Sequence, residues 1–353
     1  MISLLSAADR KLGRLDGITQ ILPNPELFVA MYVKKEEVLS SQIEGTQASL
    51  TDVLEINTKD EKHEDIVEVV NYVSAMNYGL ERLKEFPLSL RLIREIHKKL
   101  LSNGRGSDRN PGEFRKTQNW IGPAECTLSN ARFVPPVVAD MKKALENLEN
   151  FFYENDKIPA LVKIALIHAQ FESIHPFLDG NGRMGRLLIT FWLCYKEILS
   201  QPLLYLSYCL KKNRLEYYDR LMAVREKGDW EGWIKFFLKG VAVTADEATS
   251  TTKEIIQLKE LCENKIVSNG CNTSYNILLD DIFVNPIITV NDAMEVLKVS
   301  YPTAAKIIDN FCMLEILRDI TPDQKRNKRY AFSSYIEILN EKSNPPAMLG
   351  RME

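Results

Sequence analysis

The sequence predicts a mainly α-helical protein with a small β-hairpin flap in its helical part and a winged helix-turn-helix at its C-terminal end. Three observations lead there. Apolar residues recur at helical spacing through most of the first 247 positions. A Gly- and Pro-dense stretch over residues 103–136 breaks that pattern. After Asn269-Gly270 the pattern changes to helix, turn, helix, then a basic turn that runs into a strand. At 353 residues the chain is too long for one small core. It divides into an N-terminal helical region (1–85), a central helical core (86–247), a linker helix (248–270), the winged helix-turn-helix (271–340) and a frayed tail (341–353).

In chain order, Leu27, Phe28, Met31, Val38, Leu39 and Ile43 predict a helix over 28–44, with Lys34, Lys35, Glu36 and Glu37 as its charged face. Helices over 62–84 and 88–102 follow, separated by Pro87, with Ser89 placed to cap the second. Gly104, Gly106, Pro111, Gly112, Gly122 and Pro123 mark a long loop, in which Thr117–Ile121 and Thr127–Val134 read as two short strands, the flap. Helices over 137–155 and 158–173 lead to the interruption SIHPFLDGNG, and another helix spans 183–197. Helical spacing returns over 213–226 and 230–247, before a polar helix over 248–268 that ends at Asn269-Gly270. In the last segment Ser300-Tyr-Pro-Thr opens a second short helix, and TPDQKRNKRYAF reads as a β-wing.

Composition excludes several classes. Hydrophobic residues at 45% and charged residues at 26% describe a globular chain, neither disordered nor fibrous. A net charge of −3 gives no bulk attraction to nucleic acid or anionic membrane. Cys126, Cys194, Cys209, Cys262, Cys271 and Cys312 form no CxxC pair and lie at no zinc-ligand spacing, which suits buried thiols in a reducing cytoplasm. The opening residues lack a secretion signal, and the apolar run Leu187–Tyr195 is far short of the roughly 20 residues that span a bilayer. A cytoplasmic location is expected.

The interruption carries the chemistry. Gly180, Asn181 and Gly182 allow a sharp turn just before a helix, whose unpaired N–H groups and dipole suit phosphate oxygens. Arg183 and Arg186, three residues apart, share a helix face and can both reach an anion above the turn. Asp179 is placed to hold Mg²⁺, which takes one or two carboxylates together with phosphate oxygens. His175, a few residues upstream, has the side chain most suited to remove a hydroxyl proton near neutral pH. Of the other histidines, His63 and His97 sit among charged residues and read as solvated, and His168 reads as structural.

The run His175-Pro-Phe-x-Asp-Gly-Asn-Gly-Arg-x-x-Arg186 resembles the core motif of the Fic family of AMP-transferring enzymes, without departure. The resemblance implies that His175 deprotonates a Ser, Thr or Tyr hydroxyl of a target protein, or of the chain itself, which attacks the α-phosphate of ATP and expels pyrophosphate. It implies Mg²⁺ on Asp179, phosphate stabilisation by Gly180, Asn181, Gly182 and Arg183, and Arg186 on the γ-phosphate. It also implies aromatic contacts from Tyr217 and Tyr218 near the adenine or ribose, and a flap (Trp120, Ile121, Phe133) that pairs with the target segment. Near the N-terminus, Ser40, Glu44 and Gly45 resemble the family's inhibitory motif [S/T]xxxE[G/N], ahead of the core as in its N-terminal subgroup. Glu44 would then pair with Arg186 and restrain the enzyme, and a homodimer is a further family expectation. Removal of AMP from proteins is an alternative direction for the same site.

A second alternative is a nucleotide-responsive DNA-binding regulator. From Asp280 to Glu337 there are seven Lys and Arg against nine Asp and Glu, a weak footprint for DNA, so docking to protein is the favoured role of the winged helix.

Overall fold

The structure, a computed structural model, describes residues 1–20, 25–46, 49, 50, 54, 64–122, 126–154, 157–270, 273–324 and 326–341. His63, Pro123, Cys271 and the tail from 342 onward lie outside them. The chain is mainly helical and forms two compact units, Met1–Thr19 with Tyr32–Ala48 and Glu61–Asp246, and Gln20–Met31 with Ser49–Asp60 and Glu247–Glu353.

The first unit is built on α1 (Ile2–Gln20), the later part of α2 (Pro25–Glu44), α3 (Glu64–Leu83), α4 (Leu90–Leu100), α5 (Val138–Tyr153), α6 (Ala160–Ile174), α7 (Asn181–Tyr195), α8 (Ser207–Lys212), α9 (Arg214–Lys227) and the first part of α10 (Trp230–Ser268). Helix α7 is buried on every side, with Met184, Leu187, Leu188, Phe191, Trp192 and Leu193 fully enclosed, so it sits in the core and not on its rim. Helices α3, α4 and α6 pack against it. The α3 crossing is close enough that a Cβ on Gly79 would collide with the Phe191 ring. Ser89 caps α4 as expected, accepting from Leu92 N at 3.3 Å.

Four features differ from the sequence reading. First, Lys35, Glu36 and Glu37 of α2 are not a solvated face, being only 2, 4 and 0% exposed. The reason is visible in α2 itself: Met31, Tyr32, Val33, Val38, Leu39 and Ile43 are spread around the helix, so the charged positions between them are enclosed too. Their partners are internal. The Lys35 ammonium lies 4.7 Å from the Tyr205 ring centroid. Glu36 accepts from Ser207 N at 3.1 Å and from Ser207 Oγ, and Glu37 accepts from Ser41 Oγ at 2.8 Å. Second, the segments read as separate helices over 230–247 and 248–268 are one helix, α10, of 39 residues. Its threonines do not break it, because a hydroxyl such as that of Thr252 bonds back to the Ala248 carbonyl at 2.8 Å.

Third, α1 occupies a stretch in which the periodicity resolves no separate helix, and its Asp16 carboxylate holds Ser200 N at 2.6 Å and Ser200 Oγ at 2.7 Å. Fourth, the two flap strands reduce, among the described residues, to one antiparallel bridge, Ile121 with Phe133. The return arm turns through a 3₁₀ segment, Leu128–Asn130, closed by Thr127 and Asn130, and side chains occupy carbonyls of the arms that a strand ladder would use.

The second unit contains α11 (Thr273–Val284), β1 (Ile287–Thr289), α12 (Val290–Leu297), α13 (Tyr301–Met313), β2 (Arg318–Asp319), β3 (Arg329–Ala331) and α14 (Ser333–Glu341). Its sheet runs β1-β3-β2, antiparallel, with Tyr330 opposite both Ile288 and Asp319. Thr289 and Asp292 form a capping box that turns β1 directly into α12. Leu278, Phe283, Ile308, Phe311, Phe332 and Tyr335 fill its core.

Burial pushes the Glu36 carboxyl up to about 7 and that of Glu37 up to about 8, against the hydrogen bonds from Ser207 and Ser41. Glutamate in an unfolded chain titrates near 4.3, so between that pH and about 8 the folded state holds more protons than the unfolded one, and stability falls as pH rises. A melting series should therefore show a lower Tm at pH 8.5 than at pH 6. The double variant Glu36→Gln, Glu37→Gln should flatten that decline, and an undiminished slope in it would assign the pH dependence elsewhere.

Candidate functional site

The site lies in the first unit, on the connection from α6 to α7. Helix α6 ends at Ile174, and His175 takes a left-handed conformation (φ 48°, ψ 62°), uncommon for a residue with a side chain. The chain turns again at Gly180 (φ 72°), where the left-handed backbone suits glycine, and α7 opens at Asn181. The Asn181 amide closes the loop from inside, accepting from Phe177 N at 2.8 Å and donating to Phe177 O at 2.9 Å. The first intrahelical bond of α7 is Met184 N–H to Gly180 O, so the N–H groups of Asn181, Gly182 and Arg183 have no acceptor within the helix. The Asn181 side chain is thus committed to the loop, and its backbone N–H is the group left without a helical acceptor.

The loop is also held from α4. His97 Nδ1 accepts from Gly112 N at 2.9 Å, which leaves the proton on Nε2, facing the Asp179 carbonyl at 3.0 Å. Its ring stacks on Phe177, with centroids 3.6 Å apart. His97 is fully buried and not solvated, and burial lowers its pKa to about 4. The charged residues around it in sequence lie on the other face of α4, whose inner face is Leu92, Ile93, Ile96, His97 and Leu100. Asp179 Oδ1 accepts from Gly180 N at 2.6 Å, and a Cβ on Gly106 would stand 2.6 Å from Asp179 Oδ2, so glycine there keeps that oxygen clear.

The two arginines of the motif are buried, at 4% exposure for Arg183 and 2% for Arg186. Arg183 Nη1 lies 3.3 Å from Glu68 Oε2. Arg186 reaches the C-terminal end of α2: Nε donates to Ser40 Oγ at 2.7 Å, and Nη2 donates to Ser40 O at 3.1 Å and to Glu44 Oε1 at 2.8 Å. Burial opposes ionisation of Glu44, but the charge and hydrogen bond of Arg186, with Arg183 behind it, hold the carboxyl below its ordinary value. Glu44 lies directly over the helix start, where a Cβ on Gly182 would collide with its Oε1. Gly45 follows with φ 106°, a conformation that ends α2 there.

His175 is half-buried. Burial first, then the nearby Arg225 charge, lower its pKa to about 4, against the influence of Glu44 and the Glu172 carbonyl, so the imidazole is neutral at pH 7. Tyr217 on α9 is 1% exposed, and its hydroxyl lies 2.9 Å from His168 Nε2; His168 Nδ1 faces the Gly185 carbonyl at 2.9 Å, which makes His168 structural. Tyr218 packs beside Tyr217 with centroids 5.1 Å apart, under the Arg214 guanidinium. In the flap, Trp120 is 42% exposed and donates from Nε1 to Cys126 O at 2.9 Å, and the Phe133 ring lies 3.9 Å from the Arg225 guanidinium. Sequence reasoning missed His97, Arg115, Asn119 and Arg225, which hold the loop from other elements and follow no local spacing. Among the described residues no cluster of three or more His, Cys, Asp or Glu could hold a metal ion, and no helix is long and apolar enough to cross a membrane.

The α6–α7 turn thus brings together an imidazole, a carboxylate and the open end of a helix on a helical core. Two family profiles match, Fic/DOC family N-terminal over residues 2–81 and Fic/DOC family over residues 87–193. The chain belongs to the Fic/DOC family. It is 27% identical over 220 residues to a protein adenylyltransferase Fic from Aedes aegypti, covering 60% of this chain and 39% of that protein. It is 28% identical over 207 residues to a probable protein adenylyltransferase from Aquifex aeolicus, covering 57% of this chain and 58% of that protein. The match thus spans less than two thirds of either relative. Among solved structures, a Fic family protein from Desulfovibrio desulfuricans shares the fold with a TM-score of 0.60 and 22% identity, over 94% of this chain and 95% of that one.

Replacing His97 with alanine removes a buried ring, its stack and two hydrogen bonds, and should cost about 3 kcal/mol of stability. Chemical denaturation of His97→Ala measures the loss. A change below about 0.5 kcal/mol would show that the loop does not depend on this side chain.

Proposed function

We propose that this protein transfers AMP from ATP to a Ser, Thr or Tyr hydroxyl of a target protein, or to itself, and that Glu44 restrains it. The observation that carries the reading is the α6–α7 turn, where a neutral His175 and the open N–H groups of Asn181, Gly182 and Arg183 share one short loop. In this reading His175 takes the proton of the incoming hydroxyl, whose oxygen forms a bond to the α-phosphorus while the bond to the pyrophosphate leaving group breaks. The helix start, Gly180 to Arg183, stabilises charge that develops on the phosphate oxygens, and Arg186 takes the γ-phosphate. Tyr218, half-buried beside Tyr217, is placed to meet the nucleoside, and Tyr217 supports it from within the core. The flap residues Trp120, Ile121 and Phe133 align the target segment by strand-like pairing.

Asp179 fits Mg²⁺: it is a lone carboxylate whose Oδ2 is kept clear by Gly106, next to a phosphate cradle, and Mg²⁺ completes its shell with phosphate oxygens and water. A bound Mg²⁺ would neutralise triphosphate charge. The relatives named protein adenylyltransferases support the donor and reaction class.

The Arg186 contacts support the restraint. Its guanidinium is taken by Ser40 and Glu44, so a γ-phosphate must displace a carboxylate from an almost fully buried cation. Residues 271–340 we read as a winged helix-turn-helix that docks protein in preference to DNA; Lys328 in its wing is already paired with Asp319 at 2.7 Å.

Glu44→Gly should raise incorporation of α-labelled AMP at least tenfold, the effect expected when about 1.4 kcal/mol of competition is removed, and His175→Ala in that background should abolish it. Gel autoradiography with Mg²⁺, in lysate and with purified protein, checks both. Unchanged labelling in Glu44→Gly would end the restraint reading, and no labelling in any variant would favour removal of AMP or nucleotide sensing.

A further inference from the structure

Arg115, at the base of the flap, is 2% exposed, yet no carboxylate pairs with it among the described residues. A buried, unpaired cation is costly, so its acceptors should explain it. All are backbone carbonyls, from three different places. Nε donates to His175 O at 3.1 Å, Nη1 to Thr117 O at 3.2 Å on the outgoing flap arm, and Nη2 to Pro136 O on the returning arm. Its own N–H donates to Pro176 O at 2.8 Å. Neighbours extend the same joint. Asn119 Nδ2 donates to His175 O at 3.2 Å and to Phe177 O at 2.9 Å, and Gln118 Nε2 donates to Pro135 O at 2.8 Å.

His175 sits in the left-handed region, which for a residue with a side chain costs about 1–3 kcal/mol and persists only where the surroundings impose it. Arg115 and Asn119 share its carbonyl, and both come from the flap. The flap arms need such a fastening, because the Ile121–Phe133 bridge is their sole strand pairing among the described residues. The planar fork of arginine reaches three carbonyls at once, which the single ammonium of lysine does not.

We propose that Arg115 is a positioning residue, a clasp that sets both flap arms relative to His175 so that a hydroxyl carried along the flap meets the imidazole. The functional half of this rests on the AMP-transfer reading above; the clasp itself does not.

The test uses the full chain carrying Glu44→Gly, with Arg115→Lys, Arg115→Gln or Asn119→Ala added. Two readouts are taken: AMP transfer with kcat and KM separated for ATP and for the polypeptide acceptor, and hydrogen exchange of the Ile121 and Phe133 amides, which form the bridge. Loss of charge-assisted hydrogen bonds predicts a fall of at least tenfold in kcat/KM for the acceptor in both Arg115 variants, with KM for ATP changed less than about twofold. Exchange at Ile121 and Phe133 should rise about tenfold while amides inside α7 keep their protection, and Asn119→Ala should do the same to a smaller degree. Unchanged exchange at the bridge in all three variants would overturn the clasp. So would equal losses of ATP binding and of α7 protection, which would make Arg115 a general stability residue. If the Glu44→Gly parent transfers no AMP, the function reading falls, and the exchange data alone decide the clasp.

Discussion

A guanidinium at 2% exposure must have its donors met inside the protein, and Arg186 meets them on the last turns of α2. This constraint joins segments more than 140 residues apart and ties α2 to α7, the helix that opens at the glycine turn. Glycine at 182 follows from it, since Glu44 lies where a side chain would project. Removing the carboxylate would leave the buried Arg186 charge short of a partner, whereas exchanging it for a phosphate oxygen keeps the cation satisfied, and Glu44 itself is partly exposed. The ion pair is therefore strong against simple loss and open to replacement by a competing anion. A contact with those two properties is suited to a restraint.

Helix α2 carries the rest of that design. It buries Glu36, Glu37, Ser40 and Ser41 as well as its apolar residues, and its buried acids hold protons that ordinary glutamates have lost by pH 7. Glu37 Oε2 has no hydrogen-bond partner among the described residues, and a buried polar atom left unmet costs stability. Elements that must move come from the less stable end of a structure. On the restraint proposed above, the polar interior of α2 is what lets the helix release Arg186.

How far the sequence discloses this depends on whether a feature is local. The turn at Gly180, the cap at Ser89 and the helices around them follow from neighbouring residues, and periodicity finds them. The family motif also points at Arg186, Ser40 and Glu44 together, and the structure does bring those side chains into one cluster. Burial of charge on α2 was not legible, because a charged run on an amphipathic pattern reads as solvated unless the neighbours in space are known. His97 shows the same limit: its own helix looks charged, but the acceptor and donor that bury it come from Gly112 and Asp179. The flap failed in the other direction, since β-favouring residues were present but side chains hold the carbonyls of Thr117 and Pro135 at the ends of its arms.

The three described histidines show why burial alone does not mark function. His97, His168 and His175 all have their pKa lowered to about 4, chiefly by desolvation. In His97 and His168 both ring nitrogens face fixed partners, so each imidazole serves as a two-ended strut. His175 differs in that its buried Nδ1 makes no hydrogen bond of normal geometry among the described residues, with the Glu172 carbonyl as its one nearby acceptor influence. It also stands in a strained backbone conformation fixed by two flap side chains, and part of it remains exposed. A neutral imidazole with uncommitted bonding capacity, held against its backbone preference and open on one side, is the arrangement a general base requires.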